Sequence, residues 1–177
     1  KGYGVDAVTA YLESLGLQNF LVEIGGEVWG KGNNALGTPW RIAVEKPSPG
    51  ERAVYAIVQI DEQGIATSGD YRNYFERDGK RYSHEIDPRT GRPIEHRLAS
   101  VTVIGETAAR ADGLATALMV MGETDGPALA EAEGIHGARD RGEVVHLVVE
   151  REAESGHAHE RAEVQVDRLR ACDGHAL

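Results

Sequence analysis

The sequence predicts an α+β fold built on a largely antiparallel sheet flanked by helices. Short apolar runs of strand character outnumber stretches of helical period. Several of these runs are joined by only a few turn residues, as antiparallel neighbours are. No regular β-α-β alternation and no internal repeat is present. At 177 residues the chain fits one domain of ordinary size with a real core.

The elements follow in order. Residues 2–15 place Val5, Val8, Leu12 and Leu15 at helical spacing, with Gly16 as the stop. Residues 20–28 read as a strand broken at Gly25-Gly26, where a bulge is the expected outcome. Residues 40–45 alternate Trp40, Ile42 and Val44 with Arg41, Ala43 and Glu45, the pattern of a half-buried strand. Pro47-Ser48-Pro49-Gly50 marks a turn before a strand at 54–60. Asp61-Glu62-Gln63-Gly64 reads as a hairpin connection into Ile65-Ala66-Thr67. Residues 68–93 are loop-rich, with Asp78-Gly79 a tight turn between segments 73–76 and 80–84. A strand at 100–105 and a helix at 107–121 come next, then a second helix at 127–133, with Pro127 in its first turn. Residues 144–149 form an apolar strand. The polar remainder has one possible strand at 163–167.

Composition narrows the function classes. The net charge is −10 and no run of Lys or Arg occurs, so a nucleic-acid footprint is missing. No stretch of about 18 apolar residues is present to form a membrane-spanning helix. The lone Cys172 cannot form an internal disulfide and reads as an incidental thiol. The chain opens Lys1-Gly2-Tyr3 directly into a helix, without Met. Residue 1 is therefore expected not to start the natural gene product. Any lipid anchor or targeting segment would precede it.

Two constellations carry chemistry. In Ala111-Asp112-Gly113-Leu114-Ala115-Thr116-Ala117-Leu118, Asp112 and Thr116 lie four apart and share a helix face. Their neighbours are apolar or glycine, so the helix is expected to be buried and Asp112 must have a partner. A carboxylate and a hydroxyl are hard oxygen ligands suited to Mg²⁺. The alternative pairs Asp112 with an Arg and Thr116 with its own helix carbonyl. His84 lies in Ser83-His84-Glu85-Ile86-Asp87-Pro88-Arg89-Thr90-Gly91, a strongly turn-coded loop. It could act as acid or base, or be a surface histidine in a turn. The other six histidines show no metal-ligand spacing, and His157-Ala158-His159 reads as solvated tail. Thr67-Ser68-Gly69-Asp70 could form an anion nest or a hydrogen-bonded corner. Neither a P-loop nor a dinucleotide fingerprint occurs.

As a set, these segments resemble the ApbE family of flavin transferases, known in older descriptions as thiamine biosynthesis lipoproteins. The resemblance runs through Lys1-Gly2-Tyr3-Gly4-Val5-Asp6, Ile24-Gly25-Gly26-Glu27-Val28, Trp40-Arg41-Ile42-Ala43-Val44, Ala66-Thr67-Ser68-Gly69 with Tyr71-Arg72-Asn73-Tyr74, and the His84 and Asp112 motifs. It implies a T-fold-like α+β architecture. Residues 1–150 would be the C-terminal part of the transferase domain, and 151–177 a polar C-terminal segment.

The implied activity is Mg²⁺-dependent transfer of FMN from FAD to a Thr or Ser hydroxyl of a target flavoprotein subunit. A phosphoester forms and AMP leaves. The alternatives are hydrolysis of FAD to FMN and AMP, or a flavin-binding module without turnover. By the same resemblance, Asp112 and Thr116 are Mg²⁺ ligands and His84 is the functional histidine. Tyr3 and the backbone near Ile86 contact the flavin nucleotide, and Gly25 and Gly26 line the same cleft. Some members carry a second acid where this chain has Ala115. Family members are about twice this length, and the part before Lys1 supplies a metal-binding carbonyl and much of the FAD pocket. They usually work outside the cytoplasmic membrane, often lipid-anchored.

Overall fold

The computed structural model describes residues 1–47, 53–71, 73–133, 135, 144–149 and 162–164. Most of the turn expected at 47–50, together with Arg72, Cys172, His157 and His159, lies outside them. All strand pairings among the described residues are antiparallel. The main sheet has six strands in the order β1 (Phe20–Ile24), β2 (Glu27–Lys31), β5 (Gln63–Gly69), β10 (Leu98–Gly105), β11 (Val144–Val149) and β12 (Ala162–Val164). Among the described residues β3 (Trp40–Glu45) pairs with β4 (Val54–Ile60), β6 (Tyr74–Arg77) with β7 (Lys80–Ser83), and β8 (Ile86–Asp87) with β9 (Arg92–Pro93), each as a two-stranded sheet.

The two-residue period of the strands gives the main sheet two dry faces. On one face Val28, Ile65 and Ile104 pack against Val44, Val58 and Ile60 of the β3–β4 hairpin. On the other, Ala66, Val101 and Val103 meet helix α2 (Ala108–Ala132). Helix α1 (Gly2–Ser14) covers β1 and β2 on that same side, through Val5, Phe20, Val22 and Trp29. All eight residues of β10 are buried because both faces above it are covered.

Several expectations are corrected. Gly25-Gly26 is no bulge: with φ of 62° and 100°, the pair forms a two-residue hairpin turn that returns the chain along β1, Ile24 opposite Glu27. Asp61-Glu62 is no hairpin either. It carries the chain from the β3–β4 layer to the main sheet, fixed by a bond from the Glu62 N–H to the Gly30 carbonyl (2.7 Å). On α1 the buried residues are Gly2, Val5 and Thr9, while Val8 and Leu15 are exposed. Close approach to α2 decides this face: a Cβ on Gly2 would overlap the carbonyl of Ala108. The helices expected at 107–121 and 127–133 form one run broken at Gly122 (φ 74°, ψ −175°), with Pro127 inside its second part. The His96 ring occupies the space that a Cβ on Gly122 would need.

Candidate functional site

The site is built where the N-termini of α1 and α2 meet the β1–β2 turn and the end of β5. Asp112 lies on the second turn of α2, its side chain a quarter exposed rather than deeply buried. Its partner is not an Arg. Oδ2 accepts the N–H of Gly2 at 2.9 Å, and the backbone nitrogen of Lys1 lies 3.3 Å from the same oxygen. The first helical N–H groups of α1 have no acceptor within their own helix, and Lys1 contributes no side-chain cap. A carboxylate at that positive end is favoured by both hydrogen bonding and the helix dipole.

One turn along, Thr116 is exposed, so this face of α2 is open although the opposite face is buried. Its Oγ1 lies 3.1 Å from Ser68 Oγ at the end of β5. The hydroxyl thus faces another element and does not merely bond its own helix. On the opposite face of the sheet, Thr67 Oγ1 meets Thr102 Oγ1 at 2.8 Å.

Lys1 joins the glycine turn to this centre. Its Nζ donates to the Gly25 carbonyl (3.2 Å) and to Glu27 Oε1 (2.8 Å). Glu27 is only 2% exposed. A buried carboxylate needs such a cation, and the pair pins Lys1 over the turn. Gly26 N–H is held by Glu23 Oε1 at 2.9 Å. The sequence patterns assigned no role to Glu27, although a charged residue directly after a glycine pair was its visible signal.

His84 is placed separately. It is exposed on the segment between β7 and β8, and its N–H donates to the Asn73 carbonyl at 3.3 Å. Among the described residues no hydrogen bond joins its side chain to Asp112 or Thr116. The loop that follows is stiff. Gly91 N–H donates to the Asp87 carbonyl (2.8 Å) and Arg89 N–H to Asp87 Oδ1 (2.8 Å). The Arg89 guanidinium grips the Asp87 carboxylate, holding it below the usual Asp range, and reaches Asp125 Oδ2 of α2 at 3.4 Å. Ile86 is half exposed on β8 and Tyr3 stands largely in solvent on α1. The structure therefore links Asp112 through Lys1 to the Gly25 carbonyl of the glycine turn, places Thr116 one helical turn along from Asp112, and leaves Tyr3, His84 and Ile86 as exposed groups on other elements.

Glu85 beside His84 is a further feature the motifs did not flag. Its Oε2 is buried without a hydrogen-bond partner. Desolvation, with the Asp70 carboxylate nearby, pushes its pKa up to about 7.

Among the described residues no group of three or more His, Cys, Asp or Glu is placed to hold a metal ion. A cation here would rely on one carboxylate, hydroxyls and backbone carbonyls, a hard oxygen set. Nor is any described helix long and apolar enough to cross a membrane.

Comparison with known proteins bears on the family and the fold. The ApbE family profile matches residues 1–138. A Vibrio cholerae protein named FAD:protein FMN transferase is 61% identical over 135 residues, covering 76% of this chain and 40% of its own length. The Haemophilus influenzae protein of the same name is 54% identical over 136 residues, covering 76% and 39%. Among solved structures, Pseudomonas stutzeri flavinyl transferase ApbE in its apo form superposes with a TM-score of 0.69 at 52% identity, over 86% of this chain and 44% of that one. The Vibrio cholerae flavin transferase ApbE gives a TM-score of 0.71 at 49% identity, over 92% and 48%. The chain spans about two fifths of the length of the curated relatives it matches. With the family profile covering most of its length and the fold agreeing, this chain belongs to the ApbE family.

Proposed function

We propose that this chain forms part of a FAD:protein FMN transferase, in which FMN passes from FAD to a Thr or Ser hydroxyl of a target flavoprotein subunit. The observation that carries the reading is the placement of Asp112. Among the described residues both of its contacts fall on Oδ2, which leaves Oδ1 for a cation, with Thr116 one helical turn along the same face. That donor set fits Mg²⁺, which takes oxygen ligands and often few from protein. Bound Mg²⁺ would neutralise charge on the FAD pyrophosphate and polarise its phosphorus.

The chain's own residues then have few tasks, since phosphoryl chemistry depends on positioning and charge stabilisation. Asp112 and Thr116 would hold the cation, with Ser68 orienting the Thr116 hydroxyl. His84 takes the proton of the acceptor hydroxyl. The acceptor oxygen bonds to the FMN phosphorus while the bond to the AMP phosphate breaks, and AMP carries off the electron pair. Tyr3, Gly25, Gly26 and the backbone at Ile86 border the nucleotide. The family resemblance, rather than any contact in this chain, supports these nucleotide roles and a workplace outside the cytoplasmic membrane.

The test mixes this chain with FAD, Mg²⁺ and a peptide carrying an acceptor Thr. Mg²⁺-dependent AMP release with a peptide mass gain of one FMN is expected. AMP without the gain would make the chain a pyrophosphatase, and neither product would overturn the reading for this chain.

A further inference from the structure

Asp6 lies on α1 and Asp112 on α2, each the fifth residue of its helix. Asp112 accepts the Gly2 N–H at the start of α1. Asp6 returns the bond: Oδ1 accepts the N–H of Ala108 at 2.8 Å and Oδ2 that of Ala109 at 2.9 Å, at the start of α2. The third first-turn donor of α2, the Arg110 N–H, goes to the Thr107 hydroxyl. Each helix is therefore capped from across the crossing by the other's acid, and Gly2 permits the approach because no Cβ stands between it and Ala108.

The two acids differ in one respect. Asp6 commits both oxygens to backbone N–H groups, whereas Asp112 commits only Oδ2. In an otherwise symmetrical arrangement, one oxygen of Asp112 is left over and none of Asp6.

We propose that Asp6 is a positioning residue for Asp112: the reciprocal caps lock α1 to α2 and thereby fix where Asp112 Oδ1 and Thr116 Oγ1 point. This rests on the reading of Asp112 as the cation ligand. It also links two parts of the site, because the N–H on Oδ2 belongs to the residue preceding Tyr3. A cation on Oδ1 and a nucleotide at Tyr3 then bear on the two sides of one carboxylate.

The test uses the ¹⁵N-labelled chain, wild type, Asp6→Ala and Asp6→Asn, with backbone resonances followed during Mg²⁺ titration. Asp6→Ala is expected to shift Ala108 and Ala109, which it touches, and also Gly2 and Tyr3, which it does not. The Mg²⁺ affinity read at Gly113 and Thr116 should fall by about tenfold or more, as when supporting groups behind a metal ligand are removed. Asp6→Asn keeps one acceptor oxygen and should recover part of both effects, and it carries the test if Asp6→Ala does not fold. If Ala108 and Ala109 shift while Gly2, Tyr3 and the Mg²⁺ affinity do not, Asp6 is a local cap and the proposal is overturned. If wild type binds no Mg²⁺ yet Gly2 still responds to Asp6, the lock stands and the cation reading of Asp112 fails.

Discussion

Ser68 Oγ and Thr116 Oγ1 lie 3.1 Å apart, joining the end of β5 to the open face of α2. Two motifs separated by 48 positions thus meet at one hydroxyl pair. If Thr116 is a cation ligand, its replacements should separate chemistry from stability. Thr116→Val should weaken Mg²⁺ binding by about tenfold, while Thr116→Ser retains it. The residue is exposed, so unfolding free energy should change by no more than about 0.5 kcal/mol. Isothermal titration and urea unfolding of both variants decide this. Unaltered Mg²⁺ affinity in Thr116→Val removes Thr116 from the ligand set.

Glu85 should make stability depend on pH in an unusual direction for a carboxylate. Its folded pKa is raised from 4.5 to about 7, so the folded chain holds a proton that the unfolded chain releases. The associated stability is fully present below about pH 4.5 and is lost as pH rises through about 7. Glu85→Gln imitates the neutral form. At pH 8 it should stabilise by about 1–2 kcal/mol, allowing for partial exposure, and near pH 4 it should be close to neutral. An equal effect at both pH values in urea unfolding would exclude the titration.

His84→Ala should slow FMN transfer by about a hundredfold or more, the range for a lost acid-base group, with little change in FAD affinity. Its side chain is exposed and carries no core packing, so the melting temperature should stay near that of wild type. Rapid-mixing transfer assays beside FAD fluorescence titrations separate the two effects. A variant that transfers normally would end the catalytic role.

Two glycines of α1 should behave oppositely. Gly2→Ala sets a methyl against the Ala108 backbone, which cannot yield easily, and should cost about 3 kcal/mol or more. At Gly4 the added Cβ would sit 3.5 Å from Ile24 Cδ1, an ordinary contact. Gly4→Ala should therefore stabilise by about 0.5–1 kcal/mol through helix propensity. Urea unfolding of the pair checks the helix crossing directly.

The antiparallel α+β class and most strands were legible because alternation and turn chemistry are local properties. Asp78-Gly79 did form the tight turn of β6–β7, with φ of 54° and 74°. The buried face of α1 was not legible from apolar spacing, since Gly2 is chosen by a helix crossing with α2 and Thr9 is buried although polar. The pairing of Asp112 and Thr116 on one face followed from helical period. Their partners did not: Gly2 and Ser68 lie far off in the chain and are selected by topology. Asp6 stood within a quoted motif, yet its role depends on Ala108 and Ala109, about a hundred residues later.

Gly122 bears on how the molecule opens. Its left-handed φ interrupts the hydrogen-bond ladder between the part of α2 carrying Asp112 and Thr116 and the part carrying Asp125. Helical cooperativity runs along an unbroken ladder, so the two parts can unfold locally as separate units. Fluctuation of the distal unit loosens the Arg89 anchor of the turn after His84. The proximal unit, packed against α1, β5 and β10, should keep its amides protected while the distal unit opens.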